Sequence, residues 1–130
     1  MRLWHQQLLP YLPRQQLLGQ HRECAALRGN GWGRRHSVVN YVFDHPPALL
    51  VSYHLLVMAE MERRGYHPDP IWKNPNWRGS SLGEISWIKD FSPSDCTPIY
   101  PEHNDKYLQE CLENLKNKNI VINFDSPVSR

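Results

Sequence analysis

A chain of 130 residues with 40% hydrophobic content can bury a core as one domain without disulfides or a structural metal. Its net charge of +2 is unevenly spread, with ten Lys/Arg against five Asp/Glu in residues 1–79 and five against eight in residues 80–130. A basic first part suits a polyanion; the three cysteines (Cys24, Cys96, Cys111) lack paired spacing, and no stretch reads as a signal peptide or membrane span, so the expectation is a reduced, cytoplasmic protein.

The chain reads as an all-α domain over residues 1–130, with three main helices joined by long irregular connections. The first spans about 14–28, a run with no internal proline and a single glycine. At 100° per residue, Leu17, His21, Cys24 and Ala25 share one arc, with Leu18 at its margin, and form the expected core face. Arg22 and Glu23 make an adjacent charged step in an otherwise largely uncharged helix. Glu23 lies off the core arc, and its neighbours one turn away, Gly19 and Ala26, are small enough to leave room for another piece of chain. The bland alternative is a solvated glutamate on an exposed face. The following Gly29-Asn30-Gly31-Trp32-Gly33-Arg34-Arg35 breaks the helix. It is either a solvated turn or a place where backbone and arginines meet phosphates. Residues 37–43 are treated as an extended or helical connection.

Pro46-Pro47 fits the first turn of a second helix over about 46–64, with Asp44 or His45 as its cap. Leu50, Tyr53, His54, Val57, Met58 and Met61 recur at helical spacing on its core face, with His54 expected to be buried and hydrogen-bonded. Arg63 and Arg64 suit the last turn and Gly65 a left-handed cap. Residues 66–98 are rich in Pro, Gly and Trp. Trp72 and Trp77, interleaved with Lys73 and Arg78, have the composition used to stack bases and hold phosphates, and equally that of an ordered strap over the core. A third helix over about 103–118 carries Tyr107, Leu108, Cys111, Leu112 and Leu115 on its apolar stripe, with Lys116 and Lys118 in its last turn.

Several chemistries fall away. The seven histidines are scattered, with no helical i, i+4 pair and no neighbouring cysteine pair, so neither a metal nor another cofactor is expected. His21-Arg22-Glu23 matches half of a zinc-deaminase signature, whose Pro-Cys-x-x-Cys half is absent. There is no nucleophile elbow, phosphate-binding glycine loop or dinucleotide fingerprint.

Gln15-x-Leu17-x-x-x-x-Arg22-Glu23, Glu60-x-x-x-Arg64-Gly65-Tyr66, Arg78-Gly79 and Ile99-Tyr100-Pro101-Glu102-His103 occur in this order and spacing. Together with the helix order they resemble the pyrimidine-dimer DNA glycosylase/AP lyase family of the endonuclease V type. The resemblance implies a metal-independent enzyme whose partner is lesion-bearing double-stranded DNA, with no membrane and no obligate protein partner. The family's nucleophile is a chain-terminal α-amine exposed from Met-Thr-Arg; here Met1 is followed directly by Arg2, which disfavours methionine removal and leaves the amine of Met1 in the corresponding place. An α-amine titrates near about 7.7–8.0 against about 10.4 for lysine, so part of it is free at neutral pH. The resemblance thus makes Met1 and Glu23 the catalytic pair. Arg2 and Arg22 would bind the flanking phosphates or the lesion, and Arg34, Arg35, Lys73, Arg78, Trp72 and Trp77 would extend the DNA footprint. The expected juxtaposition is the Met1 nitrogen near the Glu23 carboxylate. A non-catalytic nucleic-acid-binding module of the same fold and a protein-interaction domain are the competing readings.

Overall fold

The computed structural model describes residues 2–125. Three α-helices carry the architecture: α1 (Arg14–Arg28), α2 (Pro47–Arg63) and α3 (Asp105–Lys116). Short 3-10 helices at Gln6–Tyr11, Asn40–Asp44 and Pro70–Lys73 punctuate the connections. Among the described residues there is no strand, only one isolated bridge between Trp77 and Glu84.

The core lies between α1 and α2, which pack directly on one another, and is closed by the segment ahead of α1 and by α3. All six apolar-face positions of α2, from Leu50 to Met61, are buried, including His54. On α1, Leu17 and Cys24 are buried as their spacing predicts, whereas His21 and Ala25 are only half-buried. Gln20, Leu27 and Arg28 complete the buried face instead. Burying a glutamine and an arginine shifts this face away from a purely apolar arc, and both side chains bond to backbone that crosses α1, with Arg28 also bonding His54.

The helix ends follow local chemistry. The N–H groups of Gly29 and Gly31 close onto the Ala25 and Ala26 carbonyls, and a Cβ at Gly31 would stand 2.7 Å from the Ala26 oxygen, so only glycine lets the chain turn this tightly. At the end of α2, Gly65 takes φ +87°, the left-handed cap its position predicts. The start of α2 differs from expectation. Pro46 occupies the N-cap and neither Asp44 nor His45 caps the helix; Asp44 instead faces Arg35 and His45 bonds Glu102. Asn104 caps α3, its side chain accepting from the Tyr107 N–H.

Candidate active site

The segment ahead of α1 is fastened to every helix. Gln20, projecting from α1, uses both ends of its amide: Oε1 accepts from the Trp4 N–H at 2.6 Å, and Nε2 donates to the Arg2 carbonyl at 3.0 Å. This imitates one rung of strand pairing and sets the direction of residues 2–4 along the helix. From α2, the Tyr53 hydroxyl donates to the Trp4 carbonyl at 2.6 Å. From α3, the Tyr107 hydroxyl donates to the Leu3 carbonyl. His103 Nδ1 accepts from the Gln6 N–H at 3.0 Å, which leaves the ring proton on Nε2 to donate to the Tyr41 hydroxyl at 2.8 Å. Arg64 closes the segment, donating to the carbonyls of Leu9, Pro10 and Leu12 while its Nε pairs with Glu60 at 2.7 Å.

These bonds leave a cavity of about 200 Å³ lined by Arg2, Trp4, Gln16, Gly19, Gln20, Glu23 and Lys118. Gln16, Gln20 and Glu23 stand at i, i+4 and i+7, one stripe of α1 beside the apolar face. Glu23 is half-buried and makes no ion pair or hydrogen bond among the described residues. The Arg2 guanidinium carbon lies 5.9 Å from the centroids of both the Trp4 and Tyr107 rings, and Lys118 Nζ lies 5.2 Å from that of Trp4. Two cations and one carboxylate therefore share a polar recess beside residues 2–4. Met1 lies outside the described residues.

A family model described as pyrimidine dimer DNA glycosylase matches residues 1–74. The chain belongs to this family. No curated protein and no solved structure matches it. The matched stretch includes Arg2, Gln20, Glu23, Tyr53 and Arg64, while α3, with Tyr107, and Lys118 just after it lie beyond it.

Within this glycosylase family member, the residues named from sequence divide into two groups. Arg2, Arg22 and Glu23 gather at or beside the recess. Arg22 is exposed on α1, and a Cβ at Gly19 would meet its Nη2 at 3.6 Å, an ordinary contact, so the opening does not depend on glycine there. Ala26 is not part of this recess. It faces a separate cleft of about 410 Å³ with Gly29, Trp72 and Arg78, which corrects the expectation that Gly19 and Ala26 jointly make the clearance.

The remaining group is spread out and largely engaged. Trp72 and Trp77 are half-buried in an ordered strap whose carbonyls are gripped by Arg28, as is that of Asn74. Arg78 donates to the Arg28 carbonyl at 2.8 Å and lies 4.1 Å over the Trp87 ring. Lys73 pairs with Glu62 at 3.0 Å, and exposed Arg35 approaches Asp44 at 3.8 Å. Arg34 is exposed and has no partner among the described residues.

Sequence reasoning overlooked Gln20, Trp4, Gln16 and Lys118. The helical stripe Gln16, Gln20, Glu23 was a usable signal. Lys118, read as a helix-end charge, offered none, because its arrival beside Trp4 depends on how α3 docks.

Proposed function

We propose that this protein is a metal-independent DNA glycosylase/AP lyase that acts on pyrimidine-dimer DNA through the α-amine of Met1, assisted by Glu23. The observation that carries this reading is the Gln20 clamp, which directs residues 2–4 past the recess that Glu23 lines.

The chemistry suits those groups. The amine attacks C1′ of the damaged nucleotide, the C1′–N glycosidic bond breaks, and the base leaves with the electron pair and a proton. Opening of the sugar ring then gives an imine between the amine and C1′. Loss of a C2′ proton expels the 3′ phosphate by β-elimination and nicks the strand. Glu23 is the proton carrier for ring opening and C2′ abstraction. Arg2 and Lys118 favour the unprotonated amine by like charge and hold the flanking phosphates, with Arg22 at the rim. Arg34 extends the footprint. Lys73, Arg35 and Arg78 contribute less, since each is committed to an acid or a carbonyl.

Borohydride reduction in the presence of lesion-bearing duplex tests this. Untagged protein is expected to give a covalent adduct on cyclobutane-dimer and abasic duplexes, lost when residues are added before Met1 and strongly reduced in Glu23→Gln. Duplex binding without any adduct would instead indicate a non-catalytic DNA-binding domain, and absence of salt-dependent DNA binding a protein-interaction domain.

A further inference from the structure

The side chains of Arg28, His54 and His21 form an array outside the recess, and its geometry settles where each proton sits. A guanidinium has only donors, so Arg28 Nη1, 2.9 Å from His54 Nδ1, makes that nitrogen an acceptor. The proton of neutral His54 is then on Nε2, which donates to His21 Nδ1 at 2.8 Å. His21 in turn carries its proton on Nε2. Among the described residues that nitrogen has no partner, and it is absent from the enclosed, unpartnered polar atoms, which are Arg28 Nε, Tyr100 Oη and Asn114 Oδ1. The His21 Nε2–H is therefore not enclosed, and it sits on the half-buried flank of α1 next to exposed Arg22.

The array also opposes protonation. A second proton on His21 has to enter at Nδ1, where it would meet the His54 Nε2–H head-on. The charged and titratable groups that face His21 are Arg22 and Arg28 from α1 and His54 from α2. Burial first, then the two arginines, lower the His21 pKa below its ordinary value. His54, more deeply buried and next to the Arg28 guanidinium, is pushed further down. Arg28 itself is lowered by burial to about 10 and stays cationic at neutral pH.

We propose that His21 is a further DNA-contacting residue, a neutral hydrogen-bond donor locked in one tautomer and presented to a backbone phosphate oxygen of the duplex where it crosses α1, with His54 and Arg28 as its positioning residues. This rests on the glycosylase reading above. A neutral donor fixed by two partners supplies register without adding charge, complementing Arg22, whose flexible cation supplies attraction.

The test uses duplex carrying a tetrahydrofuran abasic analogue, which lacks the C1′ hydroxyl and so cannot open to the aldehyde needed for imine formation. His21→Phe is expected to weaken binding about three- to tenfold, the worth of one hydrogen bond, with the salt slope unchanged. Arg22→Ala should weaken binding and also reduce that slope by about 0.9. His21→Gln, which places an amide donor near the Nε2 position, should recover most of the affinity. Full affinity in His21→Phe overturns the proposal, whereas wild-type protein that binds no duplex overturns the glycosylase reading instead. A second measurement needs no DNA: 15N spectra of the histidine rings in the wild-type protein should show His21 as the Nε2–H tautomer, with no titration near its ordinary pKa of about 6.5. An Nδ1–H tautomer or ordinary titration overturns the array. In His54→Phe, Nδ1 of His21 no longer faces an N–H, so His21 should take up a proton at a higher pH than in the wild-type protein, with burial, Arg22 and Arg28 still holding it below its ordinary value. Affinity should then rise on acidification earlier than in the wild type, and an unchanged pH profile overturns the role of His54.

Discussion

Arg28 is held without any carboxylate. Four of its five N–H donors end on His54 Nδ1 and the carbonyls of Trp72, Asn74 and Trp77, and the fifth, on Nε, has no partner. The Trp72 ring lies 5.1 Å from the guanidinium carbon. One buried cation thus replaces the regular hydrogen bonding that the strap lacks. Replacing Arg28 with Leu strands those carbonyls and should cost about 3–5 kcal/mol in urea unfolding, and Lys should restore little because a point charge cannot reach three carbonyls in a fork. The buried histidines make a second expectation at this scale. Burial lowers His103 to about 3, and the nearby His5 adds to the effect; His54 is lowered for the reasons above. Each binds a proton more readily unfolded than folded, so its contribution is complete above about pH 6.5 and is lost as pH falls towards the folded value. Stability should therefore decline below pH 6.5 by up to about 1.4 kcal/mol per pH unit for each such histidine. Urea midpoints at several pH values measure the slope, and His103→Gln should flatten it.

The segment ahead of α1 behaves as an element although it holds only one 3-10 helix of its own. Its carbonyls and N–H groups are met by Gln20 from α1, Tyr53 from α2, Tyr107 from α3, and by His103 and Arg64. Glu60 orders Arg64 for this task. Burial opposes ionisation of Glu60, but its bonds to Arg63 and Arg64 outweigh that and hold its carboxyl below the ordinary range. Because Gln20 makes the contacts nearest the recess, Gln20→Ala should cost only about 1–2 kcal/mol of stability. Its larger effect should be on adduct formation: displacing a reacting group by about 1 Å costs up to about 100-fold. Borohydride-trapping rates set beside urea unfolding of the same variant separate the two. A loss of adduct no larger than the loss of folded protein would show that the clamp serves stability alone.

Across the whole molecule, the basic excess of residues 1–79 is smaller in effect than in count. Arg28 and Arg64 are buried, Lys73 and Arg35 face acids, and Arg78 is bound to carbonyls. The cations at or beside the recess are Arg2, Arg22 and Lys118, and exposed Arg34 adds one in the turn after α1, so the log–log salt dependence of duplex binding should have a slope of about −3 to −4. A slope near zero would remove DNA from consideration, and one near −8 would mean that the strap and turn cations participate as well. The positions of α1, α2 and α3, the buried face of α2, the Gly65 cap and the family itself were legible in sequence, because periodicity, end residues and short motifs are local properties. The sequence also placed Arg22 and Glu23 as a charged step on α1, and Glu23 lines the recess. Tertiary structure alone decided that Gln20 is a clamp, that Arg28 and Arg64 are buried anchors for irregular backbone, and that Lys118 joins a recess more than ninety residues away in sequence from Glu23. Glutamine and arginine look like surface residues in a sequence. They become interior ones only where a distant, irregular stretch of chain brings carbonyl and N–H groups that need partners, and no local pattern encodes that arrival.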